Sequence, residues 1–310
     1  MIQNKEALPL DLLDRDGRTE REFLEQYRVG DYERPSVAAD MVIFTVTDQE
    51  ADSYRKLPDK ELRMLLIRRG GHPFLGKWAL PGGFVRPDET TEQAAARELR
   101  EETGVDDVYL EQLYTFSDIG RDPRTWVISC SYMALINSDK LELKAGDDAA
   151  DAAWFTVSYR LLREQKELME DGYVKTQEYE LKLRGEEELT AIVARTLTVK
   201  PTSTSTDYQI VSNDGLAFDH AKIIARAIER LRGKVNYTDI ALNLMPKLFT
   251  LTELQQVYEV ILDKELLKAA FRRKVVDLVQ ETDEYTEHAG HRPSRLYRRK
   301  IGGVTDDLQS

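Results

Sequence analysis

The chain has 310 residues, 41% hydrophobic and 32% charged, which is enough apolar surface for two globular domains and excludes a disordered chain. No apolar run reaches the roughly 20 residues that cross a bilayer, and the opening MIQNKE is too polar for a secretory signal. The net charge of −12 argues against nucleic acid as a partner of the whole surface, yet residues 216–300 carry 16 Lys and Arg against 12 Asp and Glu, leaving 28 against 44 elsewhere. A basic C-terminal part on an acidic body implies two kinds of partner. The single Cys130, inside the apolar run WVISCSYMAL, reads as a buried strand residue and excludes an internal disulfide. The expected location is therefore cytoplasmic, away from any membrane.

Residues 1–35 read as a polar leader with one short helix over 19–27. SVAADMVIFTV is a strand by its β-branched and aromatic content, and LRMLLIRR is a second strand after the polar loop TDQEADSYRKLPDK. RGGHPFLGKWALPGG follows as a Gly/Pro-punctuated loop. Its His72 reads as a surface residue or a substrate contact. A helix is predicted from about 90 to 103: Thr90 or Thr91 caps it, the Ala94–Ala95–Ala96 run favours it, and Gly104 stops it. On that helix Glu98 precedes Glu101 by three residues and Glu102 by four, so three carboxylates share one face. Like charges stacked this way call for a cation, and oxygen ligands without Cys or His point to Mg²⁺ or Mn²⁺. Arg97 can pair with Glu101 one turn on.

VYLEQLYTFSD and TWVISCSYMALI read as two strands joined by IGRDPR. Arg121 and Arg124 on that connection could hold anionic oxygens by charge-assisted hydrogen bonds, or the segment could be a surface turn. The acidic loop AGDDAADAAWF places Asp147, Asp148 and Asp151 just before a Trp-Phe strand. LLREQKELMED looks helical, YVKTQEYELKL and ELTAIVARTLTV alternate as a β-hairpin does, and PTSTSTD reads as a flexible connection. From residue 216 the pattern turns helical. DHAKIIARAIERLRG has Ile223, Ile224, Ala227, Ile228 and Leu231 on one face, with Asp219 as cap and Gly233 as stop. FTLTELQQVYEVIL opens with a capping box, Thr250 and Glu253. LLKAAFRRKVVDLV is a helix carrying Arg272, Arg273 and Lys274, and ETDEYTEHAGHRPSRLYRRK reads as two short strands around a turn. Helix, turn, basic helix and basic hairpin are the parts of a winged helix-turn-helix. The expected DNA contacts are Arg272, Arg273, Lys274, Arg292 and Arg295. A winged helix can also serve purely for dimerisation or protein contact. His220, His288 and His291 read as ordinary polar contacts.

Gly83, Glu89, Arg97, Glu98, Leu99, Glu101, Glu102, Gly104 and Val105 match every fixed position of the Nudix box, and GKWALPGG ahead of it is also usual in that family. The chain thus resembles Nudix proteins. The resemblance implies an α/β/α sandwich with a mixed sheet and Mg²⁺- or Mn²⁺-dependent hydrolysis of a nucleoside diphosphate linked to another group. It assigns Glu98, Glu101 and Glu102 as metal ligands, Glu89 as a ligand through water and Arg97 as their orienter. Gly82 and Gly83 would let the backbone approach the phosphates, Asp147, Asp148 or Asp151 would supply a further metal ligand or a base, and Glu101 or one of these aspartates would serve the attacking water. FSDIGRDPR resembles the ADP-ribose pyrophosphatase branch, in which Arg121 and Arg124 would hold pyrophosphate or ribose oxygens. YERPSVAAD, LAFDHAKIIARAIERLRGK, LFTLTELQQVYEVIL and HRPSRLYRR resemble Nudix-related transcriptional regulators. Those regulators are homodimers that pair a Nudix domain sensing ADP-ribose or a sugar-related ligand with a winged helix that binds double-stranded DNA. The expected organisation is a leader over 1–35, a Nudix domain over 36–160, an extension and linker over 161–215, a winged helix-turn-helix domain over 216–300 and a tail over 301–310. The intact box favours a pyrophosphohydrolase acting on ADP-ribose or a relative. The alternative is a regulator that senses such a ligand without turnover.

Overall fold

The computed structural model describes residues 12–49, 58–140, 152–286 and 293–300. Residues 1–35 form one compact unit and residues 36–310 another. In the first, helix α1 (Glu20–Gln26) occupies the expected place. The Thr19 hydroxyl accepts from the Glu22 amide and the Glu22 carboxylate accepts from the Thr19 amide, a capping box.

The second unit is built on strand β1 (Ser36–Asp48), whose side chains alternate between two apolar layers. Strand β2 (Lys60–Arg68) pairs antiparallel with it, and the short β3 (Trp78–Ala79) and β4 (Gly82–Phe84) pair with β2 and β1. Helix α2 (Thr91–Thr103) follows, then β5 (Tyr109–Phe116) and β6 (Val127–Leu135), which runs parallel to β1. Four long strands extend the sheet: β7 (Ala152–Met169), β8 (Gly172–Arg184), β9 (Glu188–Lys200) and β10 (Ser203–Asp214). The order across the sheet is β10-β9-β8-β7-β2-β1-β6-β5.

Helix α3 (His220–Lys234) is the next element. Ala39, Met41 and Ile43 of β1 pack with Ala94, Ala95 and Leu99 of α2 on one face of the sheet. Val42, Phe44 and Val46 share the other apolar cluster with Ile223, Ile224, Ala227, Ile228 and Leu231 of α3. One helix therefore covers each face, and the expected α/β/α sandwich with a mixed sheet is present. Its second layer comes from the segment that opens the C-terminal half. Beyond it lie α4 (Leu251–Leu262), α5 (Lys268–Val275) and a two-stranded sheet of β11 (Val279–Tyr285) and β12 (Arg295–Arg299). Tyr258 of α4 meets Phe271 of α5 edge-on at 5.2 Å. Phe249 and Tyr297 exchange both backbone hydrogen bonds, at 3.0 and 2.8 Å, and so tie the hairpin to the start of α4. The capping box of Thr250 and Glu253 forms as expected.

Four local expectations are corrected. Residues 161–169 belong to β7, not to a helix, because they pair with β8 all the way to Met169 opposite Gly172. Strong helix formers are overridden here by cross-strand pairing. Residues 203–207 are strand β10, paired from Ser203 opposite Lys200, and their Thr/Ser content suits a sheet edge better than a linker. Asp219 makes no side-chain cap, and α3 runs through Gly233 to Lys234. Cys130 lies on β6 but is only partly buried. The hairpin expected over 173–199 is present as β8 and β9. No helix among the described residues is long and apolar enough to cross a membrane.

Candidate functional site

Local rules place the box. Thr90 caps α2 by accepting from the Gln93 amide at 3.1 Å, and Gly104 closes it in the left-handed conformation at φ 67°. Arg97 then gathers the carboxylates. Its Nη2 and Nε donate to Glu89 at 2.8 and 3.1 Å, and its Nη1 donates to Glu98 at 2.6 Å and to Glu101 at 3.3 Å. These hydrogen bonds hold the Glu89 carboxyl down to about 2 and raise Arg97. Glu98 is buried, and Gly83 lies so close that an added Cβ would collide with the Glu98 carboxylate. A Cβ at Gly82 would lie 2.5 Å from the Ala39 carbonyl oxygen. Glu102 is pushed above the usual carboxylate range by burial and then by Glu98 and Glu101.

This arrangement bears on the implied metal. Three oxygen donors stand on one helix face, Gly83 leaves room for one of them, and Glu102 sits in unrelieved negative charge. The donor chemistry fits a hard divalent ion. Among the described residues no three carboxylates converge on one point, since Arg97 draws Glu98 and Glu101 to itself. Asp147, Asp148 and Asp151 lie outside the described residues.

Beside the box opens a cavity of about 190 Å³. Gly82, Gly83, Arg121 and Arg124, which sequence reasoning singled out for substrate, all line it. Arg124 is held by Asp122, to which its Nε and Nη2 donate at 3.0 and 2.7 Å. Its guanidinium lies 5.3 Å from the Phe84 ring and 5.7 Å from the Phe218 ring. Arg121 is committed elsewhere: Nε and Nη2 donate to the two carboxylate oxygens of Asp219 at 3.0 and 2.7 Å, with Asp40 at 3.7 Å. Burial opposes this charge, but the Asp219 hydrogen bonds raise its pKa. Arg69 donates from Nε to the Pro73 carbonyl at 2.7 Å and lies 4.8 Å from the Phe218 ring. His72 is exposed and does not line the cavity.

Sequence reasoning missed Asp40, Arg69, Phe84 and Phe218 as lining residues, because strand and loop pattern alone does not say which side chains a later helix will face. It read His220 as an ordinary polar contact. The residue is fully buried, its Nδ1 accepts from the Leu80 amide at 2.9 Å, and burial pushes its pKa down. Phe218 and Phe74 both adopt left-handed backbone, at φ 50° and 62°, and their rings meet at 4.7 Å. Such conformations cost about 1–3 kcal/mol each for bulky residues and cluster at functional sites.

In the C-terminal half, Arg272 and Arg273 stand exposed on α5. Lys274 is tied back, its Nζ donating to the Val235 carbonyl at 3.1 Å and lying 5.0 Å from the Tyr258 ring. Arg295 pairs with Glu281 and donates to the Tyr285 hydroxyl at 2.9 Å. Arg292, with His288 and His291, lies outside the described residues.

Comparison with known proteins draws these parts together. Residues 54–175 match the NUDIX domain, and residues 241–299 match the NrtR DNA-binding winged helix domain. The ADPR responsive transcriptional repressor NtrR of Acinetobacter baylyi is 36% identical over 284 residues, covering 90% of this chain and 88% of the relative. The chain belongs to the Nudix-related transcriptional regulators. Within that family, the Shewanella oneidensis NrtR complexed with a 27mer DNA superposes with a TM-score of 0.56 at 28% identity, over 85% of this chain and 93% of the other. The ADP-ribose pyrophosphatase of Methanocaldococcus jannaschii is 39% identical over 135 residues, 44% of this chain and 69% of the relative. The family thus has a regulator as a near full-length relative and an enzyme as a relative of the Nudix part.

Proposed function

We propose that this chain is a DNA-binding regulator whose Nudix cavity takes ADP-ribose or a related nucleoside diphosphate, acting as a homodimer. The observation that carries this reading is the near full-length likeness to an ADPR-responsive repressor. The cavity suits such a ligand: Arg69 and Arg124 offer charge-assisted hydrogen bonds to a diphosphate, and Phe84 and Phe218 offer flat apolar faces to a base. In the C-terminal half, Arg272 and Arg273 supply the exposed charge for phosphate contacts or base edges. Lys274, Arg292 and Arg295 complete the basic set inferred from sequence, with Arg295 restrained by its own hairpin. The test is selection of preferred duplexes from a random-sequence pool by the full-length protein, followed by fluorescence anisotropy with and without ADP-ribose. Salt-sensitive binding that ADP-ribose changes at least tenfold is expected. Absence of any sequence-preferring DNA binding would overturn the reading.

The undamaged box supports a second activity. Glu98, Glu101 and Glu102 would hold Mg²⁺ or Mn²⁺, with Glu89 through water and Arg97 orienting them. The bound ion would neutralise phosphate oxygens and lower the pKa of water. Gly82 and Gly83 leave the backbone close to the phosphate path. Water would add to one phosphorus of ADP-ribose, the P–O–P bridge would break, and AMP and ribose 5-phosphate would leave. Glu101 or an aspartate of 147–151 would take the water's proton. Chromatography of AMP released with Mg²⁺, comparing wild type with Glu102→Gln, decides it. Turnover that collapses in the variant is expected, and no AMP from wild type would reduce the Nudix half to a sensor.

A further inference from the structure

Three consecutive residues ahead of and at the start of α3 each grip a different part of the cavity wall. Phe218 lies in left-handed backbone at φ 50°, with its ring 4.7 Å from Phe74, 4.8 Å from the Arg69 guanidinium and 5.7 Å from that of Arg124. Asp219 gives both carboxylate oxygens to Arg121 of the β5–β6 connection. His220 accepts from the amide of Leu80, two residues before the Gly82–Gly83 pair. Phe218 and His220 line the same cavity as Gly82, Gly83 and Arg124. At its other end α3 touches the helices of the C-terminal half. Arg232 donates from Nε to the Ile261 carbonyl of α4 at 2.9 Å, and Val235, just beyond α3, accepts from Lys274 of α5 at 3.1 Å. A helix of 15 residues spans roughly 22 Å.

We infer that α3 is a wall of the ligand site, with Phe218 the contact through which a bound nucleoside diphosphate acts on the C-terminal half. The inference rests on the proposed ligand reading and names the part of the chain that reports occupancy. An aromatic base laid against Phe218, or a diphosphate drawing Arg69 and Arg124 off that ring, changes the surroundings of a residue already held in an uncommon backbone conformation. Because Asp219 and His220 follow it directly, any adjustment of Phe218 is carried into the first turn of α3. The buried helix moves as a body rather than bending. Its far end holds the carbonyl and the guanidinium that fix α4 and α5, and with them Arg272 and Arg273. Contact with both sites through one packed element supplies a physical route for coupling between them.

The experiment is hydrogen exchange by mass spectrometry on the full-length protein with and without ADP-ribose, in wild type, Phe218→Ala and Phe218→Tyr. In wild type, amides of residues 80–84 and of 218–224 are expected to slow together, each at least about fivefold. Phe218→Ala, whose ring is only partly buried, is expected to lose the protection over 218–224 and at least about tenfold in ADP-ribose affinity. Phe218→Tyr, which keeps the flat face, is expected to retain both. Protection of 80–84 without any change over 218–224 in wild type would overturn the inference while leaving ADP-ribose as the ligand. Unchanged affinity and protection in Phe218→Ala would overturn it as well. Protection of neither segment in wild type would instead overturn ADP-ribose as the ligand and the inference with it.

Discussion

The two helices that enclose the sheet are built by opposite logic. Helix α2 obeys local rules at both ends, with a capping box at Thr90 and a left-handed Gly104, and its own Arg97 gathers Glu98 and Glu101. Helix α3 ignores them: Asp219 stands in the capping position but bonds Arg121, and Gly233 does not stop it. Its apolar side is buried, and its start is fastened to a cavity. Where a helix is specified by neighbours in sequence, its ends are set without distant partners. Where it is specified by distant partners, its position can depend on what fills the space between them.

Breaking the distant partnership should have the largest effect. Asp219→Ala would strand Arg121, whose side chain is 5% exposed, without its hydrogen-bonded partner, leaving Asp40 at 3.7 Å and the charge of Asp122. The expected loss is about 3–5 kcal/mol in urea denaturation. A Gly83→Ala change should matter less, because the Glu98 carboxylate can shift at the expense of its bond to Arg97. A cost of about 1–3 kcal/mol is expected for this overpacking, read in the same assay. Removing the local device should cost least: Thr90→Ala loses one cap, about 1 kcal/mol. A Thr90→Ala loss as large as that of Asp219→Ala would erase the contrast between the helices.

A pH dependence sharpens it further. His220 at the start of α3 has a folded pKa below its ordinary 6.5, since burial disfavours its charged form; Asp40 and Asp219 oppose this, and Arg121 and Arg69 add to it. Below pH 6.5 the unfolded chain takes up a proton that the folded chain resists, so this residue's contribution to stability falls as pH drops. His220→Gln is expected to flatten that slope in denaturation curves between pH 7 and 5, whereas Thr90→Ala leaves it unchanged.

What the sequence allowed to be read divides along the same line. The box helix, the β1, β2, β5 and β6 strands, the cap at Thr90, the capping box of Thr250 and the Arg97–Glu101 pair follow from spacing and local propensity, and the structure shows them. The long strand β7 did not, because Leu, Arg, Glu, Gln and Lys favour helix and only pairing with β8 makes them extended. Arg121 and Arg124 were legible as candidate ligand contacts through their charge on a connection between strands, and both line the cavity. Their partners were less so: Asp219 lies 98 residues from Arg121, and no local pattern links the two. Phe218 carries no local signal that separates it from other aromatics in the chain.

The most direct test of the coupling is calorimetric titration of ADP-ribose into the free full-length protein and into the protein saturated with a selected DNA duplex. Binding free energies are reciprocal, so a ligand that alters DNA affinity must itself bind differently when DNA is present. Dissociation constants at least about tenfold apart are expected. Constants that agree within about twofold would contradict a shared mechanism and leave two independent binding domains on one chain.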